Sequence, residues 1–273
     1  MLRHLKARGH RLRALVRDPT KPAAQALRSL GVEVVRGGFE DPHSINQAAQ
    51  LVDAVFLMGT PFEKGVEAER QQGIAAVDAL QAADVPYLVY SSVASASQHT
   101  GIPHFDSKFA VEGHLRSSGS SFAIVAPVSF MENIVSPFAL PALRQGQLML
   151  GLAPEKPLQM VALDDLGAFD TLVLENPSRF RGQRIEVASD ELTGVRAAEI
   201  LSRRTGRAIR FGQIPLEQLR QRSEDLAKMN EWMNRQGYTV DLQKLHQDFP
   251  EVGWHSFDAW AGEQDWARLL SPP

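Results

Sequence analysis

Cysteine is missing from all 273 residues, so the chain can form no disulfide and no thiolate metal site. That fits the cytosol. Long apolar runs are missing too, and none approaches the roughly 20 residues needed to span a bilayer. The basic start, MLRHLKARGHRLRALVR, lacks the uninterrupted apolar stretch and small-residue cleavage site of a signal peptide. The expected protein is soluble and cytoplasmic, with no membrane partner. A surplus of one charge sign is also lacking: 29 Lys and Arg face 32 Asp and Glu, a net charge of −3. Nucleic acid is therefore not an expected partner. The first 36 residues are locally basic, with Arg3, Lys6, Arg8, Arg11, Arg13, Arg17, Lys21, Arg28 and Arg36 against Asp18 and Glu33. Most of these read as a solvated face. The eight histidines show no zinc-type spacing with carboxylates, and the serines of 117–121 lack a nucleophile-elbow pattern. Neither a metal centre nor a serine hydrolase is expected.

What remains is an ordinary globular composition, 44% hydrophobic and 22% charged, in a chain long enough to bury a sizeable core. Residues 2–8 read as the tail of a helix stopped at Gly9. Apolar runs with strand character follow at Arg11–Val16, Val32–Val35, Ala54–Met58, Tyr87–Tyr90 and Phe122–Ala126. The run AVFLM at 54–58 suits burial on both faces. Between these runs lie segments with helical spacing: Ala23–Leu30, Ser44–Leu51, Val66–Ala83 and Phe105–Ser117. Alternating strands and helices with short connections predict a parallel sheet covered on both faces.

After about residue 131 the pattern loosens, interrupted by Pro137, Pro141, Pro154 and Pro157. Helices are predicted at Leu163–Leu174, Val195–Thr205 and across 215–236, and short strands at Ile185–Ala188 and Ile209–Phe211. Phe249, Trp254, Phe257, Trp260 and Trp266 suggest a packed terminal lobe, with the tryptophans in its core. The expected organisation is a larger α/β domain over 1–194 and a smaller α+β lobe over 195–273.

Ligands of parallel sheets bind beyond the carboxyl ends of the strands. Those ends carry Arg17, Gly37-Gly38-Phe39, Gly59-Thr60-Pro61, Ser91-Ser92 and Pro127-Val128-Ser129-Phe130.

Six motifs in order, RGHRLRALVRDP, VVRGGFEDPHSI, DAVFLMGTP, YLVYSSVASAS, PHFDSKFAVEGHLRSSG and APVSFMEN, resemble the NmrA-like branch of atypical short-chain dehydrogenase/reductases. The likeness runs over roughly 3–205. It implies a doubly wound, Rossmann-like fold that holds a nicotinamide dinucleotide. Such proteins would begin with a strand and a G-x-x-G-x-x-G turn, which this sequence does not contain. That strand would lie between the two halves of the sheet, and its glycine turn would cradle the pyrophosphate. The expected explanation is a truncated start, with natural loss of cofactor binding as the alternative.

The resemblance also implies roles. Arg17, assisted by Lys21, would pair with a 2′-phosphate, favouring NADP(H) over NAD(H). Gly37, Gly38 and Phe39 would lie near the adenine, where relatives tend to carry an acidic residue in place of Gly38. Gly59, Thr60 and Pro61 would pass close to the ribose and diphosphate. Lys108 would hold the nicotinamide ribose, one helical turn after the position where short-chain reductases carry a proton-donating tyrosine. Here that position is His104, whose imidazole can donate a proton near neutral pH. Ser91 or Ser92 would orient the acceptor, and Pro127, Phe130 and Asn133 would border the nicotinamide. The Asp164-Asp165 pair would cap a helix start. The implied activity is NADP(H)-dependent reduction of a small quinone, azo or carbonyl acceptor. The alternative is a non-catalytic NADP(H) sensor that regulates a protein partner.

Overall fold

The structure, a computed structural model, describes residues 1–271. In chain order the strands are β1 (Arg13–Val16), β2 (Glu33–Arg36), β3 (Val55–Leu57), β4 (Leu88–Ser91), β5 (Phe122–Pro127), β6 (Ser129–Phe130), β7 (Gln147–Leu150), β8 (Pro157–Val161), β9 (Arg184–Val187), β10 (Asp190–Thr193) and β11 (Arg210–Gln213). The chain forms two compact units. The first comprises 1–97, 103–126 and 167–185; the second comprises 98–102, 127–166 and 186 onward.

In the first unit, β4 pairs in parallel with β3 on one edge and β5 on the other, in a sheet ordered β3-β4-β5-β9. A strand flanked on both edges and covered on both faces must be apolar throughout, and every residue of β4 is buried. A second, two-stranded parallel sheet joins β1 to β2. Its strands are more exposed. Arg13 bonds Glu33 directly across the ladder at 2.9 Å. The same guanidinium donates to Ala48 O at 2.8 Å and Gln50 O at 3.0 Å, satisfying the end of the helix Pro42–Ala48.

The burial expected of the 54–58 run is corrected here. Val55 and Phe56 are only half-buried and Met58 is 56% exposed. The cause is pairing: within its sheet β3 has a neighbour on one edge only.

The helices Val66–Gln81 and Pro103–Ser117 pack against each other and over the sheet. Their approach depends on Gly73, where a β-carbon would stand 2.6 Å from Val111 Cγ2. Ala76, Val77, Leu80, Val111 and Leu115 fill the interface and continue into the core around Leu88 and Ile124.

The second unit contains the sheet β10-β8-β6, with β8 antiparallel to β10 and parallel to β6, and the parallel pair β11-β7. Four of these strands, β6, β7, β8 and β10, carry no separate sequence signal: QLML and PLQMV are short apolar runs among prolines, and pairing decides their conformation. The helix Gly194–Thr205 is set by its ends, with Thr193 accepting from Arg196 N–H at 3.2 Å and Gly206 in the left-handed region. Phe257, Trp260 and Trp266 pack in this unit's core with Leu201 and Met131, as expected. Trp254 is half-buried and stacks on His246, with ring centroids 4.8 Å apart. Among the described residues no helix is long and apolar enough to cross a membrane.

Candidate functional site

Pro103 opens the helix that carries His104, Ser107 and Lys108, and Glu69 lies near the start of the helix beside it. Lys108 Nζ donates to Gly59 O, just past the end of β3, at 3.1 Å. It also lies 2.8 Å from Glu69 Oε1, an ion-pair distance without hydrogen-bond alignment. Ser107 Oγ donates to Glu69 Oε2 and lies 3.1 Å from His104 O. Glu69 is 2% exposed. Gly59, Glu69, Ser107 and Lys108 thus form one buried polar cluster at the carboxyl end of β3.

The His104 ring meets Phe105 edge-on at 4.8 Å, and the exposed Phe62 ring lies 6.5 Å away. Thr60 is exposed and Pro61 half-buried. Ser92 Oγ donates to Glu112, which is fully buried. Arg184 Nε reaches both Glu112 oxygens at 3.1 and 3.0 Å, while its Nη2 bonds Val93 O at 2.9 Å. The Ser92 hydroxyl is therefore committed to an internal ion-pair network. Ser91 is buried opposite Val125 in the β4–β5 ladder. Between the two carboxylates, Tyr90 is held far above the ordinary phenol range, first by burial and then by Glu69 and Glu112.

Arg17, at the end of β1, grips Glu63 with two bonds of 2.6 and 2.8 Å, and both side chains are largely exposed. This pairing raises the guanidinium above its usual value. A β-carbon on Gly38 would touch Arg17 Cγ at 3.1 Å, and one on Gly37 would collide with Ser44 Oγ at 2.5 Å and Leu15 Cδ1 at 2.7 Å. The Ser44 and Leu15 side chains crowd position 37 and favour glycine there. Phe39 packs on the first unit's core. Lys21 is exposed and precedes the helix Pro22–Ser29.

In the second unit Pro127 ends β5. Phe130 and Asn133 border a cavity of about 110 Å³ with apolar walls from Leu148, Met160 and Ala197. Asn133 Nδ2 donates to Ser129 Oγ at 3.3 Å. The expected capping role of Asp164-Asp165 is corrected for Asp165. It is 1% exposed and accepts from Ser189 Oγ at 2.6 Å, from His255 N–H at 2.8 Å and from the His255 ring. A carboxylate taking three bonds in the interior ties segments of this unit together.

Residues 1–261 match the NmrA-like family. The chain belongs to that family. It is 27% identical over 209 residues to the NAD(P)H azoreductase of Xenophilus azovorans, covering 77% of this chain and 70% of that protein. It is 27% identical over 140 residues to the photosystem II assembly factor Ycf39 of Trieres chinensis. That match covers 50% of this chain and less than half, 43%, of the relative. Solved structures that share the fold include the following two. The NADPH-dependent quinone oxidoreductase QOR2 of Escherichia coli matches with a TM-score of 0.77 at 20% identity, over 99% of this chain and 94% of that one. NmrA, a negative transcriptional regulator, matches with a TM-score of 0.80 at 19% identity, over 97% and 94%. QOR2 has been solved with NADPH, and NmrA with NAD. The fold is therefore the α/β Rossmann type of the NmrA-like family, with parallel sheets.

The residues present fit part of a dinucleotide. The Lys108 ammonium at the carboxyl end of β3 is a donor suited to sugar hydroxyls, and the Arg17 guanidinium suits an anion. Sequence reasoning missed Glu69, Ser107, Glu112 and Arg184. A signal existed for the first: Glu69 shares a helix face with Gly73, Ala76, Val77 and Leu80, so a carboxylate interrupts an otherwise apolar stripe.

Proposed function

We propose that this NmrA-like protein is an NADP(H)-dependent reductase that passes hydride to a small quinone, azo or carbonyl acceptor. The observation that carries the reading is the Lys108 ammonium fixed against Gly59 O where β3 ends, the edge at which parallel sheets bind their ligands. Lys108 holds the ribose of the coenzyme, and Gly59, Thr60 and Pro61 form the backbone beside it. Bound NADPH supplies the hydride. Arg17, released from Glu63 and assisted by Lys21, takes the 2′-phosphate, while Gly37, Gly38 and Phe39 flank the adenine. Pro127, Phe130 and Asn133 border the nicotinamide. Ser91 serves the acceptor in preference to Ser92, whose hydroxyl is spent on Glu112. His104 or water supplies the proton. The azoreductase and quinone oxidoreductase among the relatives support this chemistry.

The open outer edges of β1 and β3 support a further point: a strand pairing with both would join the two sheets into one doubly wound sheet. A second reading, a non-catalytic NADP(H) sensor for a protein partner, is favoured by His104 standing where short-chain reductases carry a tyrosine.

The test is NADPH oxidation by the full-length protein with menadione, an azo dye and several aldehydes. Turnover in the wild type that falls at least tenfold in Lys108→Ala supports the reductase. Tight NADPH binding with no turnover on any acceptor selects the sensor.

A further inference from the structure

Glu69 is a carboxylate buried on a helix whose other buried residues, among them Gly73, Ala76, Val77 and Leu80, are apolar. Burying a carboxylate is costly unless it is paired and hydrogen-bonded; here one oxygen is hydrogen-bonded and the other faces a cation. Oε2 accepts from Ser107 Oγ, and Oε1 faces the Lys108 ammonium at 2.8 Å. Ser107 and Lys108 are neighbours on one helix, and Glu69 sits on the other. Gly73 lets the two helices come close enough for the cluster to form, one turn beyond Glu69. An ammonium group has three N–H donors. On Lys108 one goes to Gly59 O at 3.1 Å, and a second direction is taken by Glu69.

We propose that Glu69 is the positioning residue for Lys108: by its charge it fixes the ammonium at the end of β3, which keeps N–H capacity for a neutral sugar hydroxyl. The assignment rests on the reading of Lys108 as a coenzyme ligand. Its chemical consequence is selective. With a carboxylate alongside, the lysine offers a directed hydrogen bond with little net positive charge, so it favours a ribose hydroxyl and discriminates against a phosphate. The phosphates are left to other residues.

The test is a double-mutant cycle on the full-length protein, reading the dissociation constant of NADPH by its fluorescence for wild type, Lys108→Met, Glu69→Gln and the double variant. Each single change is expected to weaken binding about tenfold, and the double variant to bind no worse than Lys108→Met, because Glu69 acts through the lysine. Glu69→Asp, which keeps the charge, is expected to recover part of the loss. If Glu69→Gln does not fold, because it leaves a buried cation without its partner, comparing Lys108→Met with the charge-free double variant decides the matter. Equal affinity supports the proposal, and a further loss on removing Glu69 overturns it. A neutral Glu69→Gln beside a damaging Lys108→Met overturns the role of Glu69 alone. A neutral Lys108→Met overturns the reading of the site itself.

Discussion

Arg17 and Lys108 carry the same charge in opposite surroundings. Arg17 is exposed and shares its guanidinium with Glu63, an arrangement that water and salt weaken. Lys108 is 11% exposed and held by a buried carboxylate and a backbone carbonyl. Lys108 was legible because its spacing from the helix start repeats a family motif. Glu69 was not, since its partner lies on another helix. His255 offers a pH test. Its bond to Asp165 raises the imidazole above the ordinary histidine value, against the opposing effect of burial. A base whose folded value is raised stabilises fully below its unfolded value, near 6.5, and loses that contribution as pH rises through the raised folded value. Melting temperature should therefore fall between about pH 6 and pH 8 by more in the wild type than in His255→Gln. Parallel curves would contradict the assignment.

Elements in the first unit were well marked in the sequence, because strands covered on two faces read as apolar runs and helices begin at prolines such as Pro42 and Pro103. Edges moved by one to three residues, as at Pro42–Ala48 against the expected Ser44–Leu51, and the short helix Pro177–Phe180 was not anticipated. In the second unit β7 and β8 escaped, since QLML and PLQMV are too short to declare a period and their conformation comes from partners distant in sequence. The contact between the helices Val66–Gln81 and Pro103–Ser117 gives an element-scale prediction. A β-carbon at 73 overlaps Val111, and overpacking of this kind costs about 1–3 kcal/mol. Gly73→Ala should lower stability by that amount in denaturant unfolding and weaken NADPH binding as well, by prising Glu69 from Lys108. Unchanged stability would show that the helices can yield there.

At the scale of the molecule, each unit has its own core, and the chain passes between them several times. The coenzyme reading rests in the first unit on Lys108 against Gly59 O beyond β3 and on Arg17 at the end of β1. Such positions can be anticipated from strand order, because parallel sheets bind ligands beyond the carboxyl ends of their strands. What topology does not give is which side chains are already occupied. Ser92 and Asp165 look free in the sequence and are bound in the structure.

The most direct measurement is a fluorescence titration of the full-length protein with NADPH and with NADH, repeated on Arg17→Ala. Saturable binding in about the micromolar range is predicted. NADPH should bind about tenfold tighter than NADH in the wild type, with the difference lost in the variant. No affinity for either coenzyme would contradict the account.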